Sequence, residues 1–272
     1  MLPTRTACKE SPTFAWGDRV QSLIGYHADV NTTFLTQPRD HADLVRMLVE
    51  DILAKRAGAA RDGFIVGVDG KGCSGKSRLT QAFVADLRQR GIECIVASID
   101  DFCTPLEVRY GSDLPEGLQV YHKNFEEEAW IEGVIRPFAE EGELQFDRTL
   151  LDPRLNTYTN RVQLELGRDG ILIAEGLHLR KTAYRDLFSY AILLHISDQV
   201  QLNRALVRDA EERGKTAEEV RFMYSRRYVP SFQHYLREDR PCESADAIID
   251  YENPDRPVFL DGMEAAQADC TP

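Results

Sequence analysis

The segment that most constrains this 272-residue chain lies about a quarter of the way along it. Its eight residues fit the pattern Gly-x4-Gly-Lys-Ser/Thr, in which main-chain N–H groups surround a polyphosphate, the lysine meets the β- and γ-phosphates, and the hydroxyl binds Mg²⁺. A predicted strand at 64–68 precedes the segment and a predicted helix at 76–88 follows it, so a phosphate would lie at a helix N-terminus. The segment therefore predicts a P-loop and two cofactors, ATP and Mg²⁺. Its residues are Gly70, Lys71, Gly72, Cys73, Ser74, Gly75, Lys76 and Ser77.

Composition and charge argue against two kinds of partner. Apolar residues make up 43% of the chain and charged residues 29%, which is ordinary for a globular enzyme. No uninterrupted apolar run approaches the roughly eighteen residues that a membrane span needs. The net charge is −12, whereas a nucleic-acid surface needs a basic footprint. We therefore expect neither a membrane nor a nucleic acid as partner.

The cysteines and the first residues bear on the compartment. Six cysteines are scattered along the chain without a CxxC pair, and one of them, Cys73, lies in the P-loop. This usage indicates reduced thiols. The first residues have no apolar segment of the secretory kind behind them. We expect a cytoplasmic protein.

Short apolar runs that alternate with helical patterns predict the fold class. This alternation favours an α/β fold, with a parallel sheet covered by helices on both faces. The predicted strands are Phe64–Val68, Cys94–Ile99, Ile171–Ala174, Ala191–Ile196 and Ala247–Ile249.

The pattern also predicts how the chain is divided. We expect an N-terminal extension at 1–60, whose amphipathic helix from Asp40 to Lys55 packs on the core, and a C-terminal tail at 261–272. The P-loop domain would occupy 61–260. Its longest interruption, 104–169, contains a predicted helix at 126–140 and much irregular polar sequence. Loops of this length commonly bind substrates or act as lids.

Acidic residues follow two of the predicted strands. Asp100 and Asp101 end the second strand, where ligands of open α/β sheets gather. A carboxylate there can accept the proton of an attacking hydroxyl or hold Mg²⁺ through water, and the structural alternative is a cap for the next turn. We favour Asp100 for the chemistry. Glu175 follows the strand at 171–174 and suits a metal-bound water, so Ser77, Asp100 and Glu175 form the predicted metal site. His178 is more often structural in such a position.

The predicted helix at 203–213 carries cations that suit a lid at 200–236. Arg204 and Arg208 share one face, and Gly214 would end the helix, leaving Arg213 and Lys215 at a mobile tip. Cations on a closing segment can stabilise the charge on a transferring phosphoryl group. The alternative is a solvated face on which Arg208 pairs with a glutamate. On the functional interpretation, Arg204 and Arg208 contact the nucleotide.

Several of these motifs, in this order, resemble the uridine kinase/phosphoribulokinase family of P-loop kinases. The resemblance runs from about residue 64 to 250. It implies ATP-dependent phosphorylation of a small hydroxylated metabolite on a five-stranded P-loop core with a helical lid. It also implies four roles: Asp100 as catalytic base, Lys76 as phosphate ligand, and Ser77 and Glu175 at the metal. The lid cations would be Arg208, Arg213 and Lys215. The motifs are Gly70 to Ser77, Asp100-Asp101-Phe102, Asn124-Phe125, Glu175-Gly176, Arg208-Asp209 through Lys215, Tyr224, Pro230 and Ala245 to Ile249.

Departures from the family pattern leave the acceptor open. Cys103, Thr104 and Pro105 stand where uridine kinases usually have tyrosine and arginine, which weakens a nucleoside assignment. A sugar, a sugar phosphate or a hydroxy acid are alternatives, and two arginines lean weakly toward a negatively charged acceptor. Each predicted contact has surface pairing or packing as its structural alternative. The predicted acceptor contacts are Asp100, Arg109, Tyr121, His122 and Arg161.

The hypothesis from the sequence is therefore a small-molecule kinase. The rival is a P-loop regulator or assembly ATPase without a small-molecule acceptor. No Asn-Lys-x-Asp motif is present, which weighs against a GTPase. The oligomeric state is open, with a homodimer as one option.

Overall fold

Six strands form the central sheet of the computed structural model, which describes residues 38–59 and 62–260. The strand order is β2-β5-β1-β6-β7-β8, in which the first five strands are parallel and β8 runs antiparallel to β7. The predicted parallel sheet is confirmed, and β8 is an edge strand that the sequence pattern did not reveal. The strands of this sheet are β1 Phe64–Gly70, β2 Cys94–Ser98, β5 Ile171–Gly176, β6 Tyr190–His195, β7 Ala247–Asp250 and β8 Val258–Leu260.

Helices cover both faces of the sheet. Two π-helical turns interrupt them, at Ile131–Ile135 and Tyr224–Tyr228, and short 3₁₀ turns occupy Ile99–Phe102 and Arg185–Leu187. No helix in the described part of the chain is long and apolar enough to cross a membrane. The α-helices are α1 His41–Ala57, α2 Lys76–Gln89, α3 Leu106–Arg109, α4 Glu116–Lys123, α5 Glu127–Trp130, α6 Arg136–Glu141, α7 Asp198–Arg213, α8 Ala217–Met223, α9 Val229–Asp239 and α10 Pro241–Ser244.

Helices α1 and α2 pack together on one face of the sheet. Asp40 caps α1 by accepting a hydrogen bond from the Ala42 N–H over 2.8 Å. Leu44, Leu48 and Ile52 recur every four residues and are fully buried in the same apolar cluster as the buried side chains of α2. The helix predicted before the P-loop is thus present and joins the core, while residues 1–37 lie outside the described residues. The tail at 261–272 does too.

A β-hairpin occupies part of the segment that the sequence pattern described as irregular. Strand β3, Leu144–Asp152, pairs antiparallel with β4, Thr157–Leu166. The hairpin buries mainly one face, so polar residues alternate with apolar ones and dilute the strand signal. Its apolar side packs with the helical run from α5 to α6 against the other face of the sheet.

The strand order places the chemical residues at one edge of the sheet. The P-loop follows β1, Asp100 follows β2, and Glu175 lies at the end of β5, which pairs with both of these strands. The carboxyl ends of adjacent parallel strands point the same way, so side chains from three distant segments meet there.

Candidate active site

The loop between β1 and α2 has the backbone of a phosphate cradle. Gly70 and Gly75 lie at φ +149° and +98°, which side chains rarely allow, and a Cβ at Gly75 would come within 2.7 Å of the Tyr251 ring. Cys73 also has a positive φ, +62°. Gly75 occupies the N-cap of α2, which has no side-chain cap. The first N–H groups of α2 are therefore available to an anion.

Lys76 extends its ammonium group back across this loop. Its Nζ donates to the main-chain oxygens of Gly70, at 2.9 Å, and Lys71, at 2.8 Å. Burial lowers the pKa of this lysine, and three nearby carboxylates oppose that shift. These carboxylates belong to Asp100, Asp69 and Glu175.

Ser77 and Glu175 form a pair of oxygen ligands beside the P-loop. Ser77 Oγ donates to Glu175 Oε1 over 3.1 Å. Glu175 Oε2 is buried and has no hydrogen-bond partner in the described part of the chain. A hydroxyl and a carboxylate with spare acceptor capacity suit Mg²⁺, which keeps several waters and takes phosphate oxygens as further ligands. Among residues 38–59 and 62–260, no group of three or more His, Cys, Asp or Glu is arranged to hold a metal.

Asp100 and Asp101 occupy the 3₁₀ turn after β2 and have different surroundings. Both line the same cleft, but Asp100 is exposed and Asp101 is partly buried. Asp101 accepts a hydrogen bond from Asn160 Nδ2 over 3.4 Å. Burial raises the pKa of Asp101, and the neighbouring charges of Asp100 and Glu175 raise it further. Asp100 is therefore the carboxylate more accessible to an incoming hydroxyl.

A cleft of about 800 Å³ brings the P-loop, the two aspartates and the segment predicted as a lid into one space. This volume lies within the usual range for small-molecule sites. We call the part near Gly72, Arg208 and Tyr224 the P-loop side. The part near Arg109, Tyr110, Arg227 and Tyr228 we call the acceptor side. All these residues line the cleft.

The lid cations reach the cleft from α7 and the turn after it. Arg208 donates to Asp209 Oδ1 over 2.8 Å and to the Tyr224 hydroxyl over 3.3 Å. That hydroxyl lies 3.6 Å from Cys73 Sγ, so Arg208 stands close to the P-loop. Arg213 Nε is 3.6 Å from the same Asp209 oxygen. Helix α7 ends at Gly214 with φ +61°, as the sequence pattern predicts, and Lys215 also lines the cleft.

Arg204 has a different role from the predicted contact with the nucleotide. Its Nη1 donates to the oxygens of Cys73 and Ser74, at 3.0 and 3.4 Å. Its Nη2 donates to the oxygens of Tyr251 and Glu252, at 2.9 and 2.8 Å. Four carbonyl groups thus engage this guanidinium, which holds the P-loop against the segment after β7. The i,i+4 spacing from Arg208 could not distinguish bracing from ligand binding.

Two of the predicted acceptor contacts are packed away from the cleft. Tyr121 is buried and donates to Asp239 Oδ2 over 2.5 Å, and burial raises the pKa of its hydroxyl. His122 packs edge-on against the Tyr121 ring, with ring centroids 4.7 Å apart. Neither side chain is part of the cleft lining, whereas Arg109 is. Tyr121 therefore has the packed position of its structural alternative, whereas His122 is exposed at the surface.

Arg161 is also placed outside the cleft. It lies on β4, is 64% exposed, and forms a bidentate ion pair with Asp147 at 2.9 and 2.7 Å. The preceding residue, Asn160, projects toward Asp101 instead. Neighbouring residues of a strand face opposite sides, so the hydrogen-bonding residue is one position away from the predicted one. Without the hairpin register, the sequence could not show this.

A buried carboxylate lies beneath the P-loop and was not singled out in the sequence. Asp69, 1% exposed, accepts from the Gly70 N–H over 2.7 Å and from the hydroxyl of Tyr235 on α9. Burial raises the pKa of Asp69. His178, at φ +61°, is buried beside Tyr235, with ring centroids 4.9 Å apart, and burial lowers its pKa well below the usual value. These groups link helix α9 to the start of the P-loop.

Comparisons with known proteins agree with this geometry. The model of the Phosphoribulokinase / Uridine kinase family matches residues 144–255. Uridine-cytidine kinase A from Dictyostelium discoideum is 27% identical over 184 residues, which are 66% of this chain and 34% of that protein. Uridine kinase from Leuconostoc citreum is 22% identical over 197 residues, which are 72% of this chain and 91% of the relative. The chain thus spans about a third of the first relative and most of the second.

A solved structure supports the fold. The structure described as a possible uridine kinase from Bacillus stearothermophilus superposes with a TM-score of 0.59 at 20% identity, covering 76% of this chain and 97% of the other. At 20% identity, this structural similarity supports the P-loop kinase fold and nothing beyond the fold. The family match over residues 144–255 and the two relatives show that this chain is similar to members of the Phosphoribulokinase / Uridine kinase family.

Proposed function

We propose that this protein is an ATP-dependent kinase that transfers the γ-phosphoryl group to a hydroxyl of a small metabolite. The observation that carries the proposal is the placement of Asp100. Its carboxylate lies near the Lys76 ammonium group and faces the cleft that the P-loop also lines. A base, a phosphate ligand and room for an acceptor therefore occur together, as phosphoryl transfer requires.

The side chains divide the reaction between them. Lys76 and the N–H groups at the start of α2 hold the triphosphate, and Ser77 and Glu175 would hold Mg²⁺ beside it. When bound, Mg²⁺ neutralises phosphate charge. Asp100 orients the acceptor and takes the proton of its hydroxyl. A bond then forms from that oxygen to the γ-phosphorus, and the bond to the β–γ bridging oxygen breaks to leave ADP. Arg208 and Arg213 stabilise the negative charge on the transferring group.

The test is an assay of ADP release with a panel of hydroxylated metabolites. The proposal expects ADP only when an acceptor is added, with a product heavier by one phosphoryl group. ATP consumption that needs no metabolite and rises with a protein partner would instead favour a P-loop regulator. No feature of the described cleft favours that alternative.

Location and assembly complete the proposal. Cys73, Cys94 and Cys103 carry free thiols, which supports a cytoplasmic enzyme. A homodimer stays a prediction from the sequence, which light scattering of the purified protein tests.

A further inference from the structure

Arginines from three separate segments line the cleft, and two of them, Arg109 and Arg227, lie beside Tyr110 on its acceptor side. Arg109 ends α3, Arg154 lies in the turn of the β3–β4 hairpin, and Arg227 lies in the π-turn before α9. All three line the cleft that contains Asp100. Because they are distant in sequence, the fold rather than a local motif brings them together.

An aromatic pair holds two of these arginines close to each other. The guanidinium carbon of Arg227 lies 4.2 Å from the centroid of the Tyr110 ring, and that of Arg109 lies 6.0 Å from it. Tyr228 lines the same cleft, and burial raises the pKa of its hydroxyl. The acceptor side is thus a cationic pocket with tyrosine walls.

Over the whole cleft, the cationic side chains of the lining outnumber its carboxylates. Seven Lys and Arg side chains line the cleft against three carboxylates, counted over the described residues. Arg227 shares the carboxylate of Glu116 with its neighbour Arg226. Arg208 and Arg213 likewise share Asp209. This excess is local, because the chain as a whole has a net charge of −12.

Arg109 has spare donor capacity. Its Nη2 donates to the main-chain oxygen of Thr104 over 2.8 Å. Its Nε is buried and has no hydrogen-bond partner in the described part of the chain. A buried donor without a partner is costly, and a bound anion would satisfy it.

The position of Arg109 relative to the reaction centre favours the acceptor over ATP. Arg109 donates to the main-chain oxygen of Thr104, four residues after Asp100, and both side chains line the cleft. Arg208, by contrast, contacts Tyr224 beside Cys73 of the P-loop. An anionic group at Arg109 would therefore belong to the molecule whose hydroxyl reaches Asp100.

We propose that the acceptor carries a carboxylate or phosphate in addition to its hydroxyl, and that Arg109 and Arg227 bind this anionic group. The inference rests on the proposed kinase function and narrows its substrate class. Planar guanidinium groups suit both anions because they donate two parallel hydrogen bonds. A neutral nucleoside could stack on Tyr110 but would add no negative charge beside Arg109 and Arg227.

The first experiment compares matched acceptors that differ only in the anionic group. The pairs are glycerate and glycerol, ribose 5-phosphate and ribose, pantothenate and pantothenyl alcohol, and uridine 5′-monophosphate and uridine. Initial rates of ADP release with each are measured at fixed ATP and Mg²⁺. We expect an anionic member of one pair to be phosphorylated with kcat/KM at least about 10-fold above that of its neutral partner. The pair that responds also distinguishes a carboxylate from a phosphate.

Variants then test which arginines recognise the anion. Arg109→Gln and Arg227→Gln should each raise KM for the anionic acceptor by about 10- to 100-fold, with KM for ATP changed by less than about 3-fold. Arg109→Lys keeps the positive charge but loses the two parallel N–H donors of the guanidinium group, so it should recover only part of the affinity for the anionic acceptor. Arg226→Gln is the matched control, since Arg226 pairs with the same Glu116 but is not part of the cleft lining. It should behave like the wild type.

The outcomes separate this inference from the proposed function. A preference for the neutral members would overturn the anionic subsite while the kinase function stands. The same result follows if Arg109→Gln and Arg226→Gln have equal effects on the acceptor KM. Binding of ATP without phosphorylation of any acceptor would overturn the kinase function, and the inference with it.

Discussion

The P-loop side and the acceptor side of the cleft are built in different ways. On the P-loop side, one continuous segment from Gly70 to Ser77 supplies the cradle, and its lysine bonds to carbonyls of the same loop. On the acceptor side, Arg109, Arg154 and Arg227 come from a short helix, a hairpin turn and a π-turn. The first is a local backbone structure and the second is an assembly of distant side chains.

This difference explains how the two sides could specialise. A phosphate bound by main-chain N–H groups needs only glycine-permitted backbone angles, so many acceptor chemistries can share one P-loop. The acceptor side can change through single side chains on loops without disturbing that backbone. We therefore expect substitutions on the P-loop side to affect every acceptor alike, and those on the acceptor side to affect some acceptors more than others.

The largest effect is expected for Lys76→Ala. Removing the ammonium group takes away a cation that contacts the phosphates during transfer, so kcat should fall by about 10³- to 10⁵-fold with every acceptor. Steady-state kinetics with two different acceptors measures this. Arg78→Ala is the control, because Arg78 is half-exposed two residues further on and pairs with Asp255. A strong loss of kcat with one acceptor only would contradict the expectation that substitutions on the P-loop side affect every acceptor alike.

The second largest effect is expected for Asp100→Asn, in which loss of the base should reduce kcat by about 10²- to 10⁴-fold. Binding of ATP should change little, because the nucleotide is held by the P-loop. Isothermal titration with ATP and Mg²⁺ separates the two effects. Asp101→Asn is the matched control and should cost less, since Asp101 is hydrogen-bonded to Asn160. Loss of ATP affinity in Asp100→Asn would indicate that Asp100 contributes to the metal site and does not act as the base for the acceptor.

The same contrast decides what could be predicted from the sequence. The five parallel strands, the P-loop and the helix end at Gly214 each have a local signature, and each is present. The contact of Asn160 with Asp101 and the place of Arg227 in the cleft have no such signature, because they depend on hairpin register and on the packing of the turn before α9. Tyr121, predicted as an acceptor contact with packing as its alternative, is buried and donates to Asp239. The periodicity of the sequence identifies helices and strands, whereas the side chains that meet in the cleft can be identified only once the fold is known.

A smaller effect is expected for Glu175→Gln. The amide can still accept from Ser77 but has lost the negative charge, so the Mg²⁺ concentration for half-maximal rate should rise by about 10-fold or more. Titration of Mg²⁺ at saturating ATP measures this. Glu212→Gln removes a carboxylate on the lid that also lines the cleft, and it should leave the Mg²⁺ requirement unchanged. An equal shift in both variants would mean that net charge, not the Ser77–Glu175 pair, sets the requirement.

The smallest effect concerns stability and pH. His178 is neutral in the fold because burial lowers its pKa, whereas the unfolded chain takes up a proton below about pH 6.5. Its contribution to stability is therefore present above that pH and is lost as pH falls, by up to about 1.4 kcal/mol per pH unit. Urea unfolding at pH 7.5 and 5.5 measures the free energy of unfolding at each pH. The decrease between the two should be smaller for His178→Asn than for the wild type, and asparagine tolerates the positive φ. Identical losses in variant and wild type would contradict this assignment.

The central claim is transfer of the γ-phosphoryl group to an acceptor held at Asp100. The most direct measurement follows ATP labelled in the γ-phosphate, in the presence of the acceptor that supports ADP release. We predict that the label appears on the acceptor in equal amount to ADP, and that Asp100→Asn slows this transfer by about 10²- to 10⁴-fold while still binding ATP. Label recovered only as inorganic phosphate, at the same rate with and without acceptor, would contradict the account.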